Sequence, residues 1–550
     1  MEFNYRYQGS TSVANSATDT ALAFEPDTLR EPTYFVGRLA KPLAFREAIS
    51  ALNSVVVSDL RFKPKDRTEY KAWLQQHEAD MLAEFMADQG ELQQRTRDLR
   101  QELSELYRTS SERMRPYYQA QQKYFNYLYK TDYDAWFVLD PVITVHPDEV
   151  FFECFSQDES SYGRLGCRYE VFDKIREFAC GTTNIDYSAA LYNEFQKIRD
   201  YKTTEFAIDP SGFEVETSGE YAYRETKIDL PESWVRGFLQ VSSAMSLPMH
   251  AVDMHPMDIH NICLTLRRHK ERQGPRSLRF QLSPGQPLTL NFEPWNYQLN
   301  CPRSVYHGTE SLDIRIWGRR RLLILERLIP IADKFTAYFL GSGLPSFFVA
   351  DLGDMSFTLG LSGWTANDWS RLGAFDLMAP RAEVDEFTKA RVFNALKETW
   401  QESADSLARR LELERSVVLG ALGAYTQAGR AIYDMNQGVY RVRELSREPL
   451  PLDALRFASP QEENANRFVA ANLVKLQVEA GDEHLTLSGT VRDAGQQYQP
   501  RVVLDSDERM IRGSCSCSFY IRNKLHRGPC EHMLALRAMH SRQSATQRAH

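Results

Sequence analysis

The spacing of apolar positions changes several times along the chain, and each change marks an element boundary. From Asp66 to Lys130 the period is helical. Leu92, Leu99 and Leu106 recur every seven residues with Leu103 between them, and Arg95, Asp98 and Glu102 fill the other faces. This predicts a helical hairpin or short coiled-coil arm over 66–130, with Gly90 and Pro116 as interruption points. Such an arm either packs on its own domain or offers an interaction surface. Residues 1–65 hold short apolar runs such as "YFVGRLA" and "SVVVSDLRF" without a sustained period, and their structure stays open. Across 131–385 strand-like runs ("VFFECF", "SLRFQL", "PLTLNF", "SLDIRIW", "FTAYFLG") alternate irregularly with helix-like ones ("SAALYNEFQKIRDY", "PMDIHNICLTLRRHKER", "RRLLILERLIPIADK"). That mixture predicts an α+β body.

Two smaller units follow. Between 390 and 446 the order is helix, helix with Ser403 as N-cap, a mostly apolar third helix, and a hairpin about "NQG". A stretch rich in proline and polar residues, "SREPLPLDALRFASPQEENAN", reads as a linker. Over 468–541 four strands lead into a helix, "EHMLALRAMHSR". The fold class predicted for the chain is therefore α+β and multidomain: N-terminal segment 1–65, arm 66–130, body 131–385, helical-hairpin domain 390–446 and terminal sheet-plus-helix module 468–541.

Length and composition bound the rest. A chain of 550 residues with 25% charged positions and a net charge of −8 is long enough for several cores. It is not basic throughout, so partner choice must be local. The opening "MEFNYRYQGSTSVANSATDT" is polar and no apolar run approaches the roughly 20 residues of a membrane span, which predicts a cytoplasmic protein without a membrane segment. Five of the eight cysteines, Cys154, Cys167, Cys180, Cys263 and Cys301, lack motif spacing and read as buried small hydrophobes, without disulfides.

Motifs for catalysis are missing from the body. It has no GxxxxGK[ST] phosphate loop, no GxSxG elbow, no HExxH and no dinucleotide fingerprint after a strand. His250, His255 and His260 come every five residues, a spacing that spreads side chains around a helix, and Pro256 interrupts them. Asp158 and Glu159 read as a solvated turn, and Arg319, Arg320 and Arg321 as a solvated helix edge. The chain is expected to be non-catalytic.

The last fifty residues are different. Cys515-x-Cys517, twelve intervening residues, then Cys530-x-His532 offer three thiolates and one imidazole, with Gly528 and Pro529 to turn the chain back. A tetrahedral structural zinc takes this donor set. Four protein ligands leave no open position for water, so one structural Zn2+ is the cofactor expected, holding a sheet edge against a helix. His526 is the nearby substitute ligand. From Arg509 to His550 eight Lys and Arg face one acid, a balance of +7 that leaves −15 for the remainder of a chain whose total is −8. Arg512, Arg522, Lys524, Arg527 and Arg537 are candidate contacts to nucleic acid or an acidic partner, with Phe519 and Tyr520 available to stack on a base. Arg441 and Arg443 on the predicted hairpin join them.

Three resemblances add expectations. The segment "SLARRLELERSVVLGALGAYTQAGRAIYD" resembles a winged helix-turn-helix, whose mostly apolar third helix favours a protein-docking or structural role over DNA contact. The pattern CxC, spacer, CxH after "SGTVRDAGQQYQPRVVLDSDERMIRG" closely resembles the SWIM zinc finger, which implies the same four ligands. The clusters "LPESWVRGFLQVSSAM", "PRSLRFQLSPGQPLTL", "RIWGRRRLL", "GLPSFFVADLG" and "LGLSGWTANDWS", with the terminal finger, resemble a bacterial family of long SWIM-finger proteins. Members of that family tend to be encoded beside a MoxR-type AAA+ ATPase and a von Willebrand factor A domain protein. The resemblance implies a non-catalytic adaptor for protein partners of that kind. A DNA- or RNA-binding factor is the alternative.

Overall fold

The computed structural model describes residues 12–15, 19–24, 34–58, most of 141–208, 232–270, most of 277–363, 369, 375–378, 384–445, most of 460–505 and 509–548. By its contacts the chain divides into two compact units, 60–138 and the remainder. The arm predicted over 66–130 lies outside the described residues. The larger unit is a mixed α+β structure built on several largely antiparallel sheets.

An eight-stranded antiparallel sheet lies at its centre, in the order His250–Met254, Lys334–Phe339, Ser346–Asp351, Met355–Leu361, Ser161–Arg168, Glu149–Phe155, Val142–Val145, Gly181–Asn184. Glu149–Phe155 is buried along its whole length, so both faces of this strand are covered. Its even positions meet the helix Pro42–Val56: Phe152 packs on Phe45, and the Cys154 thiol points at the Leu52 carbonyl. That helix buries Phe45, Ile49, Leu52 and Val56 at helical spacing. The odd positions, Glu149, Phe151, Glu153 and Phe155, face the other way, where Phe155 meets Trp234 and Phe238 of the helix Glu232–Met245.

The N-terminal segment, open from sequence, contributes three strands to a second sheet ordered Ser12–Asn15, Asp19–Phe24, Thr203–Ile208, Tyr34–Leu39, Phe172–Asp173. A four-stranded sheet, Tyr297–Val305, Pro287–Phe292, Ser277–Leu282, Leu312–Trp317, alternates buried and exposed positions as its sequence requires. The run "RRLLILERLIPIADK", expected to be helical, forms a 3-10 helix, Arg319–Ile331. The solvated edge expected for its arginines is corrected. Arg319 is buried and donates to the carbonyls of Ser277 and Glu293, and Arg321 to those of Ser160 and Gly363. Each guanidinium thereby bridges two carbonyls from separate segments of the chain. Asp158 is likewise buried, accepting hydrogen bonds from the hydroxyls of Ser156 and Ser160 at 2.7 Å.

Residues 386–442 form the predicted helices Glu386–Thr399, Ala404–Leu411 and Arg415–Gln427 and the hairpin Ala431–Asp434/Val439–Val442, with Gln401–Glu402 as a third strand. Ser403 caps as expected, accepting from the Ser406 amide. This part has its own small core of Val392, Leu396, Leu407, Val418, Leu422 and Tyr440. The linker reading of 446–466 is corrected at its end, because Pro460–Ala470 is a helix with proline in its first turn.

The terminal module joins that helix to an antiparallel sheet, Val474–Ala480, Leu485–Asp493, Arg501–Leu504, Met510–Ser514, with Gln496–Tyr498 at one side. The final helix, Glu531–Arg548, lies across it. A Cβ at Gly489 would sit 3.0 Å from Leu536 of the final helix and 1.9 Å from the Lys475 carbonyl. Only glycine permits that approach.

Candidate metal centre and contact residues

The four residues singled out by spacing come together. Cys515 follows the last strand, Cys517 caps the short helix Ser518–Asn523, and Cys530 and His532 bracket the start of the final helix. All four are buried, and their ligand atoms lie within 4.8 Å of one another. Gly528 makes the return turn at φ +86°, a conformation side chains other than glycine rarely adopt, and Pro529 follows it. The CxC turn is tied to the sheet because Ser516 Oγ accepts from the Gln499 amide at 3.1 Å. Cys517 Sγ accepts from the Tyr520 amide at 3.4 Å.

The electrostatics favour anionic sulfur. A hydrogen bond with Cys530 draws the Cys515 thiol down to about 4, and the same partner draws Cys517 to about 6. Hydrogen bonding to those two thiolates drives Cys530 upward, so among the three it holds its proton longest. Burial works to lower His532, but its contacts with Cys515 and Cys517 leave it raised. A divalent cation would replace these shared protons. The cluster can hold one metal ion.

His532 is oriented by residues the sequence reading missed. Its Nδ1 faces Cys515 Sγ at 3.8 Å, and its Nε2 faces the Asp493 carboxylate at 3.8 Å. Phe468 stacks on one side of the ring, with centroids 5.7 Å apart and planes 6° from parallel, and Tyr498 packs at 4.2 Å. A carboxylate behind a ligating imidazole fixes its tautomer and raises its basicity. The sequence signal for Asp493 was its place at the end of a strand before the turn Ala494–Gly495, both at positive φ. Nothing local pointed from there to His532. His526 lies outside the ligand cluster.

The predicted contact residues divide. Arg522 and Lys524 are at the surface beside Ile521, which is 60% exposed. Arg512 is exposed and pairs with Glu310 at 2.6 Å. Arg527 is half-buried. Phe519 and Tyr520, expected to be free for stacking, pack partly buried against the core.

Three expectations are corrected. Arg537 is buried and donates to the Leu377 carbonyl at 3.0 Å. Arg441 and Arg443 are wholly buried in an ion-pair network on the odd face of Glu149–Phe155. Arg441 pairs with Asp434 and Asp148 at 2.9 Å and with Glu149 at 3.3 Å. Arg443 pairs with Glu153 at 3.1 Å and reaches the Ser242 hydroxyl. Arg164 also pairs with Glu149, and Tyr162 donates to Glu153 at 2.8 Å. The hairpin is thus fastened to the body, because two buried carboxylates require cations beside them. No residue of the third helix, Arg415–Gln427, is fully exposed, and the helix packs on Glu232–Met245.

The five other cysteines are free thiols, and Cys154, Cys167, Cys263 and Cys301 are buried as expected. Among the described residues His250, His255 and His260 form no metal-ligand group: His250 starts a strand, and His255 caps the helix Pro256–Arg268. No described helix is long and apolar enough to cross a membrane.

No protein-family model and no curated protein matches the chain. Among solved structures it is similar to the proliferating cellular nuclear antigen of Entamoeba histolytica, at 9% identity over 60% of this chain and 97% of that one, with a TM-score of 0.32, too low to carry an argument.

Proposed function

We propose that the chain is a non-catalytic, zinc-binding adaptor, and that the buried Cys515, Cys517, Cys530 and His532 cluster is its structural zinc site. The observation that carries this reading is the closed donor set: four ligands from the chain, all buried, with a carboxylate behind the imidazole. Zinc suits three thiolates and one imidazole, and a site filled by protein ligands stabilises a fold rather than activating water. The zinc would fasten the final helix to the sheet edge and hold out the short helix Ser518–Asn523, whose exposed Ile521 is followed by the surface cations Arg522 and Lys524. An exposed apolar residue beside positive charge suits an acidic protein partner.

The order helix, strand, helix, helix, hairpin over 386–442 supports the winged-helix-like reading of that part, in a docking role. Its third helix and hairpin are turned toward the body and engaged there, so groove reading of DNA is not the use proposed for it. By resemblance, the partners proposed are a MoxR-type ATPase and a von Willebrand factor A protein, in the cytoplasm. The alternative, a DNA- or RNA-binding factor, keeps the exposed Arg522 and Lys524 as its support and loses Arg441, Arg443 and Arg537.

The test is metal analysis of purified protein and of Cys517→Ser, followed by partner binding. One zinc per chain, reduced in the variant, together with binding of a purified partner that is lost in Ile521→Asp, is the expected result. Full zinc occupancy in Cys517→Ser would sink the metal assignment. Nucleic-acid binding that weakens steeply with salt, without partner binding, would select the alternative.

A further inference from the structure

The terminal sheet has two faces, and only one is covered by the final helix. Leu487 and Val491 are buried, and Gly489 meets Leu536 of that helix. Alternation turns Ser488 and Thr490 to the opposite face. There the sheet carries a groove of about 400 Å³, lined chiefly by Lys475, Gln477, Ser488, Thr490, Gln499 and Arg501. The register explains its chemistry. Lys475 pairs with Thr490 on one flank of the middle strand, and Arg501 pairs with Ser488 on the other. Two long cationic side chains therefore flank a strip of hydroxyl groups, with an amide side chain at each edge. No carboxylate lines the groove, and among the described residues neither Lys475 nor Arg501 has an ion-pair partner.

We propose that this groove binds a phosphate group, as a monoester or a diester. A guanidinium fork, an ammonium and several neutral donors aimed from three strands exceed what the two oxygens of a carboxylate can use, and they match the three or four oxygens of a phosphate. No aromatic side chain lines the groove, so it has no stacking platform and reads phosphate charge without base identity. One wall lies beside the four-residue cluster, because the backbone amide of Gln499 donates to Ser516 Oγ between Cys515 and Cys517. The inference goes beyond the adaptor reading and stands on the sheet face, so the two fail separately.

The experiment is calorimetric titration of the full, metal-loaded chain with inorganic phosphate, adenosine monophosphate, short oligo-dT and oligo-dA strands, and a poly-glutamate peptide. Saturable binding of at least one phosphate-bearing probe, weakened at least about tenfold in Lys475→Gln/Arg501→Gln, is expected, since charge-assisted contacts are lost. Arg522→Gln/Lys524→Gln should bind like the parent. Binding of phosphate and the mononucleotide would identify a monoester site, and binding of the oligonucleotides alone, equal for dT and dA, a backbone site. Metal content and thermal midpoint of the double variant, measured on the same samples, exclude misfolding. The proposal is overturned if no phosphate-bearing probe binds at low salt, if the Lys475/Arg501 variant binds unchanged, or if poly-glutamate binds as tightly as the phosphates.

Discussion

Single side chains decide two properties of this protein. At the metal centre Asp493 stands 3.8 Å behind His532 Nε2, which has no hydrogen-bond partner at closer range. Asp493→Asn keeps the shape and removes the charge, so retention of a bound metal ion against a competing chelator is expected to fall by about 10–100-fold with the secondary structure unchanged. Retention equal to the parent's would show that Phe468 and Tyr498 orient the ring without help. In the body His146 is fully buried, and its Nε2 must donate to the Val442 carbonyl at 2.6 Å. Its Nδ1 then accepts from Arg441 at 3.4 Å, which requires a neutral imidazole. Burial, followed by the Arg441 charge, lowers its pKa from 6.5 to about 3. A group lowered in the folded state binds its proton more readily unfolded, so its stabilising effect is present above pH 6.5 and is lost as pH falls toward 3. That loss amounts to about 1.4 kcal/mol per pH unit. Urea unfolding of His146→Gln, which still offers a donor to Val442, should show a correspondingly shallower decline below neutrality. An unchanged slope would remove His146 from the acid response.

At the scale of elements the joint between the hairpin and the central sheet matters most. Glu149 and Glu153 lie four apart on one strand, so alternation places both on the same face, and Arg441 and Arg443 answer them from the hairpin. Such a joint is strong only while complete. Arg443→Met should cost about 3–5 kcal/mol in chemical denaturation by leaving Glu153 buried without its cation. Adding Glu153→Leu should recover most of that loss, because an apolar pair of similar volume replaces the charges. A cost under about 1 kcal/mol for the single substitution would mean that the hairpin does not depend on this pair. The elements themselves were readable. The strands "SLRFQL" and "PLTLNF" alternate because one face is wet, and Ser403 caps its helix through a local hydrogen bond. In "RRLLILERLIPIADK" the helix was readable but the arginines were not, because Arg319 and Arg321 are drawn inward to distant carbonyls, in a 3-10 conformation.

Across the larger unit the terminal module is joined to the body by polar contacts as well as apolar ones. Arg537 reaches the Leu377 carbonyl, Arg512 reaches Glu310, and the buried residues of body and module form one continuous cluster. By itself the sequence determined the α+β class, the helices and hairpin over 386–442, and the convergence of Cys515, Cys517, Cys530 and His532. Each of these rests on information within a few residues or on a spacing that suits one metal ion. Tertiary structure alone decided which cations are free. Arg441, Arg443 and Arg522 look alike in a sequence, and a cation is buried where folding brings a distant carboxylate or carbonyl beside it, as Glu153 meets Arg443 and the Leu377 carbonyl meets Arg537. Glu149 and Glu153 needed the two hairpin arginines, whereas none of the described acids claims Arg522. The same reason hid Asp493 and the groove on the open sheet face, since both arise from strand pairing between distant segments.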